Sequence, residues 1–170
     1  MFKTLAEAAA NCTRNITAGM DPVLQETVRR RRSTISPLIT YDDQVHLLLL
    51  DLKSSDTSKR VSAICALAEM GTRATPAVSA LIETVEDPDW VVRVASITAL
   101  GEIGPAARDA VPALIDALSR EDVCVSAAIA LGRIGPVAAE ALEPLNDLKL
   151  RKLGFDCWCA EEAVRLISVK

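Results

Sequence analysis

Ala99-Leu100-Gly101-Glu102-Ile103-Gly104-Pro105 returns as Ala130-Leu131-Gly132-Arg133-Ile134-Gly135-Pro136, a shift of 31. A weaker copy, Ala66-Leu67-Ala68-Glu69-Met70-Gly71, lies upstream of the first at a shift of 33. Self-similarity at such a period marks a repeat array, in which each unit is one supersecondary element unable to bury its apolar face alone. A second apolar segment precedes these copies, Val78–Val85 and Val111–Leu118, with Leu81 and Leu114 again 33 apart. Each unit is therefore two segments.

Both segments have helical spacing. Val92, Ala95, Ala99 and Ile103 fall on one stripe, flanked by Ser96 and Leu100, which is the pattern of a helix with one face toward a core. Asp87-Pro88-Asp89 supplies a turn and a cap before the second helix, Gly104-Pro105 ends it, and Pro76 and Pro112 suit the first turn of the helix that follows. The pattern predicts hairpins at about 44–75, 76–109 and 110–139, with a degenerate closing unit over 140–170. Residues 1–43 do not repeat. Asp21-Pro22 opens a helix through Arg32 and Phe2–Cys12 reads as another, so this stretch is expected to be an N-terminal helical cap or a partly flexible segment.

Composition agrees with layers of helices. Of 170 residues 50% are apolar and 25% charged, as in a soluble globular domain, and only 3% are aromatic. A core of small and branched aliphatic side chains suits closely packed helices. The net charge of -4 argues against a protein that grips a phosphate backbone, so no nucleic-acid partner is expected. Apolar runs such as Leu47–Leu50 are far too short for a bilayer and the N-terminus has no secretory pattern, so no membrane partner and a cytoplasmic location are expected. Five cysteines, Cys12, Cys65, Cys124, Cys157 and Cys159, are an odd number best read as reduced thiols.

Asp89-x3-Arg93-x5-Ala99-Leu100-Gly101-x-Ile103-Gly104 resembles the HEAT-like repeat first described in phycobilisome lyase subunits, over about residues 44–140. The resemblance implies an all-α, right-handed α–α superhelix of the armadillo kind with three to four hairpins, acting as a protein-binding scaffold. It further implies a ladder of partly buried ion pairs between successive units, assigning Asp56 with Arg60 and Asp89 with Arg93. The third unit departs from the pattern, since two residues are missing before its second helix and Cys124 replaces the arginine. The ladder is expected to stop there, leaving a junction that is more apolar or more mobile.

Stepping about 100° per residue with Val92 and Ile103 inward, the opposite face of the second unit's second helix carries Val91, Val94, Thr98 and Glu102. The matching positions are Val61, Cys65 and Glu69 in the first unit and Val125, Ile129 and Arg133 in the third. In the solenoids this sequence resembles, that face is concave and recognises partners. An exposed apolar row Val61-Val94-Val125, rimmed by Glu69, Glu102 and Arg133, is expected to form a protein interface. Val94→Asp is then expected to leave melting unchanged. The same row can instead be covered by the N-terminal segment or by a second copy of the chain.

Catalytic and metal chemistry find little support. Cys157-x-Cys159 lacks the spacing and the further ligands of a zinc site. His46 is the sole histidine and has no nucleophile motif around it. The paired His-Glu motifs of HEAT-repeat di-iron hydroxylases are absent, as is the basic, aromatic groove of HEAT-like DNA glycosylases. Arg29, Arg30, Arg31 and Arg32 form the only strong charge run, a solvated helix end or a patch for an acidic partner. Trp90 is expected to pack over an inter-unit turn, and Trp158 to close the C-terminal core. No enzyme activity, cofactor or metal is expected. The leading function is a protein-binding scaffold, with a bilin lyase-related or phycobilisome-handling subunit and a structural homo-oligomer as alternatives.

Overall fold

The computed structural model describes residues 41–151 and 155–169. Its helices are α1 (Tyr41–Leu52), α2 (Thr57–Met70), α3 (Val78–Thr84), α4 (Trp90–Ile103), α5 (Val111–Ala117), α6 (Cys124–Ile134), α7 (Leu142–Arg151) and α8 (Phe155–Ile167). They pair into four successive hairpins, and the described residues contain no strand. The predicted cap over residues 1–43 lies, up to residue 40, outside the described residues.

Local chemistry sets the helix ends. The Asp56 carboxylate accepts from the Ser58 amide at 2.8 Å and the Asp89 carboxylate from the Val91 amide at 2.9 Å, so each aspartate caps its second helix. These helices stop at Gly71, Gly104 and Gly135, whose φ values of 53°, 70° and 74° lie where side chains carry strain. A seven-residue 3-10 stretch follows each glycine and leads into the next first helix. Pro112 occupies the first turn of α5, whereas Pro76 sits at the end of the preceding 3-10 stretch. The third second helix starts late. The two missing residues leave α6 with 11 residues against 14 in α4, and Val123 at its start supplies no side-chain cap.

One core runs through all four hairpins, with Ile64, Leu81, Leu100, Leu114 and Leu145 fully buried in it. The second helices stack directly, α2 on α4 on α6 on α8, while the first helices scarcely meet one another. Small residues permit the close stacking. A Cβ on Gly101 would lie 3.0 Å from the Ala130 Cα, and one on Gly132 would lie 3.1 Å from the Ala163 Cα. The stretch Cys124–Leu150 has the length and apolarity of a membrane span, with 61% of its apolar window buried. Gly135 divides it into α6, a 3-10 stretch and α7, so it is not one straight helix.

Candidate functional site

Two arginines tie the units together, with partners other than the expected ones. The Arg60 Nη2 donates to Asp87 Oδ1 at 3.0 Å, and its Nε lies 2.9 Å from Oδ2; Nη1 donates to the carbonyls of Ser54 and Ser55. Arg93 repeats the arrangement one unit on. Its Nη1 donates to the carbonyls of Asp87 and Pro88 at 2.8 and 3.0 Å, and its Nε and Nη2 donate to Asp122 Oδ2. The assigned pairs Asp56–Arg60 and Asp89–Arg93 are therefore corrected. Those aspartates are occupied as helix caps, and each arginine reaches the loop of the following unit. Asp122 is also 3.6 Å from Arg120, which pairs with Glu86 at 2.9 Å. The hydrogen bond from Arg93, with its charge and that of Arg120, holds the Asp122 carboxyl below the usual aspartate range against the opposing effect of burial. Cys124, where the next arginine would stand, is buried.

The expected exposed row is corrected as well. Val61 is 0% exposed, Val94 7%, and Ile129 is also buried. Val125, Val91 and Cys65 are partly buried and packed against the core. The reason is the stacking of adjacent second helices, α2 on α4 as well as α4 on α6 at Gly101–Ala130 and α6 on α8 at Gly132–Ala163, which covers what a single helix would expose. Thr98 is partly buried and its hydroxyl donates to the Val94 carbonyl at 2.8 Å. Glu69 and Glu102 are exposed, and Glu102 is hydrogen-bonded to Arg133 across α4 and α6.

Beside that face, at the first position of α4, an aromatic is exposed instead. Trp90, expected to pack over a turn, is 59% exposed. Since Gly101 faces Ala130, the parallel register sets Cys124, the first residue of α6, opposite Ala95. The first turn of α4 thus overhangs the next helix by about five residues, roughly 7 Å at 1.5 Å per residue. The two-residue gap before α6 was legible in the sequence and is the signal that could have located this step. Arg93 and Asp122 brace it from the side, with Nη2 and Oδ2 2.5 Å apart.

The other singled-out residues do not join a site. His46 is exposed on α1, Cys159 is fully buried, and Trp158 is partly buried against the core. Among the described residues no group of three or more His, Cys, Asp or Glu side chains is arranged to hold a metal ion. Arg29, Arg30, Arg31 and Arg32 lie outside the described residues.

A family model for HEAT repeats matches residues 46–130 and, in a second register, 78–151. The chain belongs to the HEAT-repeat family. The match is to HEAT repeats in general and makes no distinction among phycobilisome lyase and other types. The HEAT fold here is similar to the crystal structure of an engineered protein from the Northeast Structural Genomics Consortium, with a TM-score of 0.60 and 24% identity. That likeness covers 72% of this chain and 62% of the engineered one, so this chain spans less than two thirds of that protein's length. No curated protein matches the chain. HEAT repeats as a class are scaffolds that mediate protein–protein contacts, and this chain is an all-helical solenoid of hairpins of that class.

Proposed function

We propose that this HEAT-repeat protein binds a protein partner without catalysis, through the second-helix face, and that the contact centres on Trp90. The observation that carries this reading is the tryptophan itself: a large aromatic, 59% exposed, at a step between two tightly stacked helices. Tryptophan is the residue type most enriched at interface positions that dominate binding energy, and solvent exposure of one in a free scaffold leaves that area unused. Val91 and Val125, partly buried at the same end of α4 and α6 as Trp90, extend the apolar surface, with the exposed Glu121 just before α6. The partner that fits presents an apolar pocket to the tryptophan. A location in the cytoplasm belongs to the same proposal.

The test uses the intact chain. Wild type and Trp90→Ala are compared in affinity capture from the source cells, and any protein retained by wild type alone is purified and titrated against a Trp158→Phe background. Binding that blue-shifts the Trp90 emission, and is weakened at least about 30-fold by Trp90→Ala at unchanged melting temperature, supports the reading. A captured partner that binds Trp90→Ala equally well overturns it. Light scattering on the same samples separates a second copy of the chain from a different protein.

A further inference from the structure

The two ends of the solenoid differ. Position by position, Leu81, Leu114 and Leu145 are fully buried, yet their counterpart Leu48 in α1 is partly exposed. In the second helices Ala99, Ala130 and Ala163 are buried, and Ala130 and Ala163 are the residues against which Gly101 and Gly132 of the preceding unit rest. Their counterpart Ala66 is partly exposed, as is Met70 where the later units bury Ile103, Ile134 and Ile167. Leu47 and Leu50 are 51% and 58% exposed. Leu50 moreover stands where the following units carry the exposed acids Glu83, Asp116 and Asp147.

The last hairpin is charged at the positions that meet a neighbour in the internal units, and its exposed apolar side chains, Leu150 at 84% and Val169 at 56%, lie outside those positions. Where internal units have Gly101 and Gly132 to admit a neighbour, α8 has Arg165, exposed and paired with Glu162 at 2.5 Å, and Lys149 pairs with Glu161 at 3.2 Å. The N-terminal face has the composition of an internal junction instead.

We infer that residues 1–40 of the chain dock on this face and supply the missing layer, with the α1–α2 surface of Leu47, Leu48, Leu50, Ala66 and Met70 as their seat. Three observations select this occupant. The segment is longer than one repeat unit, and it joins the chain at Tyr41, the start of α1, so its local concentration at the face is high. It carries apolar residues at helical spacing, including Leu24 and Val28. Its charge is complementary. Six basic side chains stand against three acidic ones up to Thr40, whereas from Tyr41 onward 13 basic face 20 acidic, Asp42 and Asp43 among them at the start of α1. A second copy presenting the same end would bring acid against acid, which disfavours that pairing.

The arginine run reports on the docked state, because trypsin cuts after Arg29–Arg32 only when that stretch is released. In full-length protein the expected cleavage is at least about tenfold slower than in the urea-unfolded chain, as for a segment held by local structure. Leu47→Glu with Leu50→Glu should raise it to the unfolded rate while the helicity of the solenoid persists, since units two to four already carry acids at the second position. Leu24→Asp, made on the docking segment, should do the same and should speed amide exchange across α1. Light scattering should give 18.2 kDa at every concentration. Wild-type cleavage at the unfolded rate, protection that survives both sets of substitutions, or protection that appears only with a doubled mass would each overturn the inference.

Discussion

Arg93 binds two units at once: Nη1 holds the Asp87 carbonyl of its own loop at 2.8 Å while Nη2 holds the Asp122 carboxylate of the next at 2.5 Å. Arg60 does the same between units one and two, with its partner Asp87 far less exposed than Asp122. The two junctions therefore respond differently to the same change. Arg60→Ala leaves the Asp87 carboxylate buried without its cation and is expected to cost about 3 to 5 kcal/mol, as broken buried pairs do. Arg93→Ala is expected to cost less, because water reaches Asp122. Urea unfolding of both variants gives the comparison.

The Asp122 pair also carries a pH dependence whose direction follows from its lowered pKa. A carboxyl depressed in the folded state contributes stability above its unfolded value, near 3.9, and loses it as the pH falls through the folded value. Solvent screening limits the contribution of so exposed a partner to about 1 kcal/mol or less. Asp122→Asn should thus be less stable than wild type at pH 7, with the gap closing as the pH drops from about 4 toward 2. A gap that persists unchanged at the lowest pH would assign the loss to something other than this charge.

Substitutions on the second-helix face should sort by burial. Trp90→Ala should change stability by no more than about 0.5 kcal/mol, and Trp90 should be quenched by acrylamide more readily than Trp158. Val94→Asp, on the same helix, should instead destabilise by about 1 to 3 kcal/mol because it forces a carboxylate between packed helices. Leu100→Ala should cost about 2 to 5 kcal/mol. Thermal and chemical melts of the three variants would establish the order.

Gly101 and Gly132 admit no side chain without movement of the facing backbone. Gly101→Leu is expected to cost about 1 to 3 kcal/mol through overpacking, despite the gain in helix propensity. Gly104→Ala should lose about 1 kcal/mol for a different reason, its positive φ. A double variant joining Gly101→Leu with Ala130→Gly should recover part of the first loss, and failure to recover any would place the strain elsewhere.

The repeats, their hairpins and the stops at Gly71, Gly104 and Gly135 were legible because periodicity and punctuation are local signals. The ion-pair partners were not. Asp56 and Arg60 stand four apart on one helix, a spacing that suggests a pair, but Asp56 has a nearer claim from the Ser58 amide. The expected apolar row failed for a related reason. A helical wheel places Val61 and Val94 relative to their own unit, whereas their burial is decided by how near the next helix comes. The clue was present in the Ala-Leu-Gly core, whose glycine is the contact itself.

The glycine contacts set a limit on how the solenoid can deform. At Gly101 and Gly132 the inner layer of helices already stands at van der Waals separation, while the outer helices scarcely touch. Compression of the inner side meets hard backbone, whereas extension is resisted by dispersion and by the Arg60–Asp87, Arg93–Asp122 and Glu102–Arg133 pairs. The compliance of the stack is therefore one-sided: adjacent second helices have room to separate but none to approach.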